Sequence, residues 1–545
     1  MQPSTITVHN VLKDALFTVA PDSDGQPLSL PALIARLLAG PEDVLGFPNL
    51  TPIQRSYWYR FLVRCAAKAL RELGLDVSTA SGMGAAELGV RIESALLEAT
   101  GGEEAWRLHQ PDPTLPGFLQ PPTPDGAAPE IGYAPKWPSI LTSAIGSKNH
   151  ERKSDVDRAL TPEQLVYALV EYQTGVIFGG RGNYGSQLMG SASGAGSGTP
   201  FMGVRIGSGY RETFRHDVGV FLDRWSYIRD RLKVRGRVWA LWTLPWDGES
   251  SLPAEQLDPA FIPLARLVRV GPPDEGGQFR RVWFKPTNCA RVLDHTDGGM
   301  LGDVFTPLVP HPRHPGGFKV RGTLKSGYGY EEVVNLLFSV KGVPSDSVAA
   351  LARSPAASRT DVRVVFEGTA FEQGKTSGFH QREVLLPSTS AIAFLADPAP
   401  VQQTHAEMLR LAKAAKSAIR GATRILLSGT PKPREGDDAK VEGPARELEH
   451  AIDRIYIPTL LAAAERRARG DMDYLAEWGE RLTDLTRSIF QQTMRGIPTS
   501  GARRYEREIL AASWLDYRLR VMRGEVAGGE VIEDGADIFN EEEIE

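Results

Sequence analysis

The chain has 545 residues, a net charge of −5 at pH 7 and ordinary fractions of charged (24%) and apolar (41%) residues. This length predicts two or more domains of a globular protein. No apolar run reaches the roughly 18 residues of a membrane-spanning helix, and the first residues lack the pattern of a signal peptide. The two cysteines, Cys65 and Cys289, do not have the spacing of a metal site. We therefore expect a cytoplasmic protein without a membrane segment or a bound metal.

Three helices are predicted in the first hundred residues, and the first covers Leu28 to Leu38. The second begins at Thr51-Pro52-Ile53-Gln54, where a threonine cap, a proline and a glutamine form a capping box. Apolar residues at helical spacing continue this helix to Gly74, and the third covers Ala85 to Ala99. A polar, partly basic loop at 142–153 follows a proline-rich irregular stretch, and we expect that it can order on a partner.

A fourth helix begins with a second capping box at Thr161-Pro162-Glu163-Gln164 and leads into a glycine-rich stretch. Ten glycines lie between Gly175 and Gly203, too many for a helix or strand, since glycine adds entropy to the unfolded chain and packs no side chain. Either successive turns with positive φ or close approach to a ligand requires such bare backbone. The alternative is a flexible linker. Four apolar residues among the glycines argue against a linker: Tyr184, Leu188, Met189 and Phe201.

A basic segment follows the glycines. Nine Lys and Arg residues lie between Arg205 and Arg237, against four acidic residues. This composition is typical either of a nucleic-acid surface or of a solvated face with some salt bridges. The negative net charge does not exclude the first reading, because nine acidic residues and no basic ones lie between Glu525 and Glu545. The rest of the chain therefore carries a net charge of +4, and the acidic tail is expected to be disordered.

Strand patterns and amphipathic helices occupy the rest of the chain. Alternating residues at 234–246 predict a half-buried strand, with further strands at Phe279–Phe284, Phe318–Leu324, Val362–Glu367 and Arg382–Leu386. Four apolar stripes at spacings of three and four follow between residues 408 and 522, with a kink expected at Pro458. The predicted fold class is α+β: a large mixed domain with irregular loops at 1–395, a four-helix bundle at 396–524 and the acidic tail at 525–545.

The motifs of common enzymes are missing. The sequence contains no H-E-x-x-H, G-x-S-x-G, kinase, paired C-x-x-C or phosphate-loop signature. His295, His311 and His314 are the best candidates for a metal site, although hydrogen-bonded turn histidines explain them more simply. Two classes remain open: a non-enzymatic nucleic-acid-binding subunit, and an enzyme with a site at these histidines.

The order of these features resembles the large subunit, CasA, of the type I-E CRISPR Cascade complex. The similarity rests on Gly198-Thr199-Pro200 at the end of the glycine-rich stretch, on Pro310-His311-Pro312, on Gly117-Phe118-Leu119-Gln120 and on the closing four-helix bundle. The resemblance implies a non-catalytic subunit of an RNA-guided antiviral complex. In that family this subunit reads the PAM beside the target in double-stranded DNA, helps to open the duplex and recruits a helicase–nuclease.

The resemblance also implies partners and contact residues. The partners are double-stranded DNA, the guide RNA, the other Cascade subunits and the helicase–nuclease, with no cofactor. The family's minor-groove glycine loop matches Gly179, Gly180, Arg181, Gly182 and Asn183. Its glutamine wedge matches Gln373, with Lys375 beside it, and its guide-RNA or subunit contact matches Lys148, Asn149 and His150. The family's lysine finger has no clear match, and only Cys289 stands where some members carry a zinc ribbon.

Overall fold

The structure is a computed structural model. It describes residues 9–20, 26–124, 126, 135–142, 158–175, 182, 200–293, 303–312, 315–353, 362–372, 375–387, 389–431, 438–496 and 504–526, with the backbone alone at 371, 372, 375–377 and 438. The chain divides into two compact units. The first comprises Met1–Tyr328, Asn335–Leu337 and Lys341–Leu395, and the second comprises Gly329–Val334, Phe338–Val340 and Ala396–Glu545.

The described residues before position 396 contain ten α-helices. They are α1 (Leu30–Ala39), α2 (Pro52–Leu73), α3 (Val77–Ser81), α4 (Ala85–Thr100), α5 (Pro162–Gly175), α6 (Arg211–Asp223), α7 (Trp225–Leu232), α8 (Tyr330–Leu337), α9 (Asp346–Ala350) and α10 (Thr389–Ala393). The strands are β1 (Phe201–Ile206), β2 (Val238–Ala240), β3 (Leu252–Pro253), β4 (Leu257–Ile262), β5 (Leu267–Val270), β6 (Val282–Lys285), β7 (Val292–Leu293), β8 (Leu308–Pro310), β9 (Phe318–Val320), β10 (Val362–Glu372) and β11 (Lys375–Leu386).

Helix α2 forms the centre of the first unit. It is buried along nearly its whole length and packs against α4, α5 and α6, as expected of a helix inside a large core. The predicted capping box at its start is present, and Gly74 ends it in the left-handed conformation, with φ of 63°. A sequence signal at each end therefore sets the length of this central helix.

Short strands surround this core, and one larger sheet stands out. Strands β1, β10 and β11 pair antiparallel in that order, while the other strands form two-stranded pairs. The predicted strand at 234–246 shortens to β2. Residues Leu241–Thr243 form a 3-10 turn directly after it, and the tryptophans at 239, 242 and 246 are buried. Trp242 donates its indole N–H to the Ala105 carbonyl at 2.8 Å. The strand is shorter than the alternation predicts, and four consecutive residues from Trp239 to Trp242 are buried instead of every second one.

The second unit contains four long helices: α11 (Ala399–Ser428), α12 (Asp438–Ala468), α13 (Tyr474–Gly496) and α14 (Arg504–Met522). Helix α11 packs against the other three, and α12 packs against α13. The predicted α+β class with a helical C-terminal region is confirmed. Helix α12 begins at Asp438 and continues through Pro458, the position of the predicted kink.

The sequence predicts an apolar stripe on α14 formed by Tyr505, Ile509, Ala512, Leu515, Leu519 and Met522. The first half of this prediction is wrong. Tyr505 is 73% exposed and Ile509 is 47% exposed, whereas the later positions Leu515 and Leu519 are buried. The buried face includes Ala511, and steps of three or four residues back from it reach 507 and 508 instead of 509 and 505. Among the described residues, none of these helices or any other is long and apolar enough to cross a membrane.

Candidate nucleic-acid interface

The first end of the glycine-rich stretch is fixed by helix α5. Its predicted capping box is formed, since the Thr161 N–H donates to Gln164 Oε1 at 3.2 Å and the Gln164 N–H donates to Thr161 Oγ1 at 3.3 Å. At the C-terminal end of α5, Gly175 lies against the ring of Tyr57, where an added Cβ would be 2.6 Å from two ring carbons. Glycine is required there by the close approach of α2.

Gln173, two residues before the end of α5, is completely buried, and both polar atoms of its side-chain amide form hydrogen bonds. Its Oε1 accepts hydrogen bonds from the backbone N–H groups of Ala265 (3.0 Å) and Arg266 (2.9 Å). Its Nε2 donates to the carbonyls of Leu119 and Arg266, both at 2.9 Å. Four hydrogen bonds to the main chain therefore fix the position from which the glycine-rich stretch leaves the fold.

The second end of the stretch is held by the same helix that contacts the first. The Arg60 Nη2 group donates to the carbonyl of Pro200, the residue before β1. Arg60 and Tyr57 are separated by three positions on α2, so they occupy the same face of that helix. The glycine-rich stretch thus begins and ends beside one face of the most buried helix in this unit.

A buried charge cluster supports this anchor. Asp303, which is 1% exposed, lies 3.3 Å from Arg64 Nη2 and 3.6 Å from Arg60 Nε. Burial alone would raise the pKa of Asp303, but the two guanidinium groups outweigh it and lower that pKa below its ordinary value. A cavity of about 20 Å³ adjoins these three residues and Thr174. That volume fits one water molecule. The Arg60 Nε and Nη1 groups are buried and lack hydrogen-bond partners among the described residues.

Gly182 is the one predicted glycine-loop residue that the structure describes. It is half-buried and has a φ of +78°, a conformation that favours glycine. Its carbonyl accepts a hydrogen bond from the Thr287 N–H at 2.9 Å. Gly179, Gly180, Arg181 and Asn183 lie outside the described residues, and so do Lys148, Asn149 and His150. Their predicted contacts stay predictions.

The β10–β11 hairpin shares a sheet with the end of the glycine-rich stretch. In the register of β1 and β10, Phe201 pairs with Glu367. Strand β10 then continues five residues beyond Glu367 to Glu372, a length of about 17 Å at 3.3 Å per residue. Because β1 runs antiparallel to β10, the glycine-rich stretch enters the sheet from the side toward which the hairpin extends. The end of the glycine-rich stretch at Pro200 therefore lies at the end of the sheet toward which the hairpin extends.

Gln373 itself lies outside the described residues, between paired strands. Glu372 pairs with Lys375, and the register shifts between Ala370 and Phe371, which indicates a β-bulge near this end. Bulges bend a hairpin and strengthen its local twist. The hairpin is longer than the sequence pattern predicted, since β10 extends past Glu367 and β11 begins at Lys375. The backbone of Lys375 is thus placed, while its predicted contact with DNA stays a prediction.

The base of the hairpin is held by a neighbouring loop. Tyr328 donates its hydroxyl hydrogen to the Glu367 carbonyl at 3.0 Å, and Arg382 Nη1 donates to the Tyr328 carbonyl at 2.8 Å. A Cβ at Gly368 would lie 2.0 Å from Thr323 Oγ1, so this close approach requires glycine. Loop 323–328 therefore fixes the part of the hairpin from which the distal strands extend.

The side chain of Glu367 makes the stability of this unit depend on pH. It is 3% exposed, and burial raises its pKa to about 7 although Arg55, Arg205 and Arg60 act in the opposite direction. The folded state therefore binds the proton of the Glu367 carboxyl group more tightly than the unfolded state does. Protonation of Glu367 stabilises the fold below about pH 4.5, and this contribution is lost as the pH rises to about 7. The free energy of unfolding changes by about 3 kcal/mol over this range, at about 1.36 kcal/mol per pKa unit.

We expect Glu367→Gln to remove this contribution, so that the variant gains stability relative to the unmodified chain as the pH rises from 4.5 to 7. Thermal unfolding across this range measures the difference between the two proteins. Glu87→Gln, an exposed position on α4, is the control and should differ little from the unmodified chain at any pH in this range. Parallel curves for Glu367→Gln and the unmodified chain would contradict the assignment.

The basic segment has two roles in the structure. Several of its arginines support the fold: Arg211 donates to the carbonyls of Gly40 and Pro41, Arg215 to Leu38, and Arg224 to the Asp346 carboxylate at 2.7 and 2.9 Å. Four others are exposed: Arg229, Lys233, Arg235 and Arg237. The charge available to a nucleic acid is therefore smaller than the sequence pattern indicates.

The histidine alternative gains no support from the described residues. His311 lies just after β8. Its backbone N–H donates to the Gly317 carbonyl at 2.9 Å, as in a structural turn. His295 and His314 lie outside the described residues. Within the part of the chain that the structure describes, no group of three or more His, Cys, Asp or Glu residues could hold a metal.

A comparison with protein-family models finds no match, and a search of curated proteins finds none. Solved structures do match, and they define the class of fold as that of CRISPR-associated proteins. More particularly, the fold is that of CasA, also named Cse1.

Three of these structures cover nearly the whole chain. Thermus thermophilus CasA is 14% identical with a TM-score of 0.64, covering 95% of this chain and 100% of its own. Acidimicrobium ferrooxidans Cse1 is 15% identical with a TM-score of 0.63, covering 96% and 99%. Thermobifida fusca Cse1 is 12% identical with a TM-score of 0.67, covering 95% and 99%. At such identities the likeness establishes the fold, and the resemblance predicted from the sequence is confirmed at that level.

Proposed function

We propose that this chain is the non-catalytic large subunit of an RNA-guided CRISPR Cascade complex acting in antiviral defence. It recognises the PAM in double-stranded DNA, helps to open the duplex and recruits a helicase–nuclease. The observation that carries the proposal is the CasA fold over at least 95% of the chain. Within that fold, the end of the glycine-rich stretch at Pro200 and the extended β10–β11 hairpin lie at the same end of one sheet.

The glycine-rich stretch suits the minor groove for a steric reason. That groove is about 6 Å wide, and bare backbone enters it where side chains would be crowded. The DNA contacts are assigned to Gly179, Gly180, Arg181, Gly182 and Asn183. Because the minor groove distinguishes base pairs only coarsely, this mode of reading tolerates several related PAM sequences.

The β10–β11 hairpin has a shape suited to separating the two strands of a DNA duplex. Separating a base step costs a few kcal/mol, which contacts to the deformed DNA offset. Gln373, between the ends of β10 and β11, is assigned to this insertion, with Lys375 beside it. Lys148, Asn149 and His150 are assigned to the guide RNA or to a neighbouring Cascade subunit. Sequence specificity then comes from pairing with the guide RNA, in a cytoplasmic complex.

We expect Gln373→Ala to slow duplex opening by the assembled complex about tenfold, which corresponds to about 1.4 kcal/mol. The measurement is the fluorescence of a 2-aminopurine at the first target position beside the PAM. Gln381→Ala, an exposed glutamine on β11 paired with Glu367, is the control. A target already mismatched at its first positions should open at the normal rate with both variants. Equal slowing on both targets, or none on the closed duplex, would reject the wedge.

Valine at both Gly179 and Gly180 should abolish discrimination between PAM-bearing and PAM-free duplexes. The added side chains prevent the backbone from entering the groove, while pairing of a single-stranded target with the guide RNA should remain normal. Competition binding with the assembled complex measures both quantities. Gly194→Val, elsewhere in the same glycine-rich stretch, is the matched control. Unchanged discrimination in the double variant would remove the glycine loop from PAM reading.

A further inference from the structure

A groove between α12 and α13 carries positive charge that the proposed function does not use. Its volume is about 610 Å³, and Arg446, His450 and Arg454 line it from α12 while Leu485 and Ile489 line it from α13. The three α12 residues are spaced by four positions, so they share one helix face, and all three are exposed. The groove therefore combines a cationic side with an apolar side.

The lining of the groove keeps a net positive charge, because two arginines face a single acidic residue. Glu442 is bound by Arg420 through two hydrogen bonds, at 2.7 and 3.0 Å, and Glu449 is paired with Lys416 at 2.5 Å. Glu447 is the one acidic residue among those that line the groove. Arg446 and Arg454 lie eight residues apart on one helix face, or about 12 Å at 1.5 Å per residue, so one extended anionic segment can contact both.

We propose that the acidic segment 527–545 of this same chain docks in the groove and covers it. This segment contributes eight of the nine acidic residues in the tail, without any Lys or Arg. Apolar residues lie between its acidic residues: Val531, Ile532, Ile538, Phe539 and Ile544. Such a sequence complements both sides of the groove, with carboxylates for the arginines and apolar side chains for Leu485 and Ile489.

The position where the described chain ends makes this docking geometrically feasible. The last described residues follow α14, and Arg523 packs against α13, with its Cγ 3.3 Å from the Cβ position of Gly479. Gly479 and Ile489 are ten residues apart on α13, or about 15 Å at 1.5 Å per residue. Nineteen residues extend to about 60 Å at most. Covalent attachment also gives the segment a high effective concentration at the groove.

A docked tail shields the groove from other polyanions. A nucleic acid entering it would have to displace carboxylates of the same chain, so the tail lowers non-specific binding without any contribution from the first unit. This inference rests on the second unit alone. It is therefore independent of whether the chain reads a PAM.

The first experiment places amines in the groove of the full chain. With Arg446→Lys and Arg454→Lys, which keep the charge, a zero-length carbodiimide should couple positions 446 and 454 to carboxylates of segment 527–545 within one molecule. Mass spectrometry identifies the joined peptides, and high salt should suppress them because it screens exposed charges. Arg410→Lys, exposed on α11, is the control. Coupling no greater than that of the control would overturn the proposal.

The second experiment measures shielding with a fluorescein-labelled oligo-dT strand at about 50 mM salt, where phosphate contacts are strong. Replacing the acids of segment 527–545 by their amides should strengthen binding to the full chain about tenfold, and Arg446→Gln with Arg454→Gln should cancel the gain. If the arginine variants weaken binding but the amide variant changes nothing, the groove takes nucleic acid in place of the tail, and the proposal is wrong.

Discussion

Asp303→Ala is expected to lower the free energy of unfolding of the first unit by about 3–5 kcal/mol, the cost of leaving a buried charge without its partner. Asp303 is the carboxylate shared by Arg60 and Arg64 on α2, and both guanidinium groups are at least 95% buried. Arg60 already has two N–H groups without hydrogen-bond partners among the described residues. Removal of Asp303 therefore leaves two adjacent positive charges inside the core.

Denaturant unfolding measures this loss, and Glu42→Ala provides the control. Glu42 is 56% exposed by its side chain and lies 3.3 Å from Arg36, so its removal should cost less than about 1 kcal/mol. Adding Arg64→Met to Asp303→Ala should restore part of the stability, since it removes one of the uncompensated charges. Equal losses for Asp303→Ala and Glu42→Ala would show that the cluster is not stabilising.

The same variant should also loosen the glycine-rich stretch. Arg60 holds the Pro200 carbonyl at the end of that stretch, and Asp303 positions Arg60. Arg181 is the one Lys or Arg residue between 176 and 199, so tryptic cleavage after it reports on this stretch alone. We expect faster cleavage after Arg181 in Asp303→Ala than in Glu42→Ala at equal fractions of folded protein.

Local signals in the sequence predicted the helices well. The capping boxes at Thr51 and Thr161 and the terminal glycines at Gly74 and Gly175 recur as actual helix ends. These signals work because a cap satisfies backbone groups within one turn of the helix. Strand ends were predicted less well: β10 and β11 continue beyond their apolar alternation because each strand satisfies the other's backbone groups across the hairpin.

The anchors of the candidate site could not be predicted from local patterns. Arg60 and Arg64 lie four positions apart among apolar residues of α2. This charged stripe in an otherwise apolar helix is the one feature of the sequence that indicates buried ion pairs. Their partners, Asp303 and Pro200, are more than 130 residues away along the chain. Similarly, the pairing of β1 with β10 joins residues about 160 positions apart. Only the folded chain brings these groups together, whereas the glycine-rich stretch itself was evident from composition.

Gln173→Leu is the second substitution for which we expect a large effect, about 4 kcal/mol or more. Leucine has a similar volume, so little of the loss would come from packing. The change instead leaves the N–H groups of Ala265 and Arg266 and the carbonyl of Leu119 without the side-chain partner that each now has. Each buried backbone group left unsatisfied costs about 1–3 kcal/mol.

Gln164→Leu, at the other end of α5, separates this effect from simple loss of helix stability. It removes the capping-box hydrogen bond from the Thr161 N–H, which is worth about 1 kcal/mol. Both variants should weaken α5, but only Gln173→Leu should release the start of the glycine-rich stretch and speed tryptic cleavage after Arg181. Under the proposed function, PAM discrimination by the assembled complex should fall with Gln173→Leu and persist with Gln164→Leu. The same cleavage rate in both variants would mean that Gln173 stabilises the core without positioning the loop.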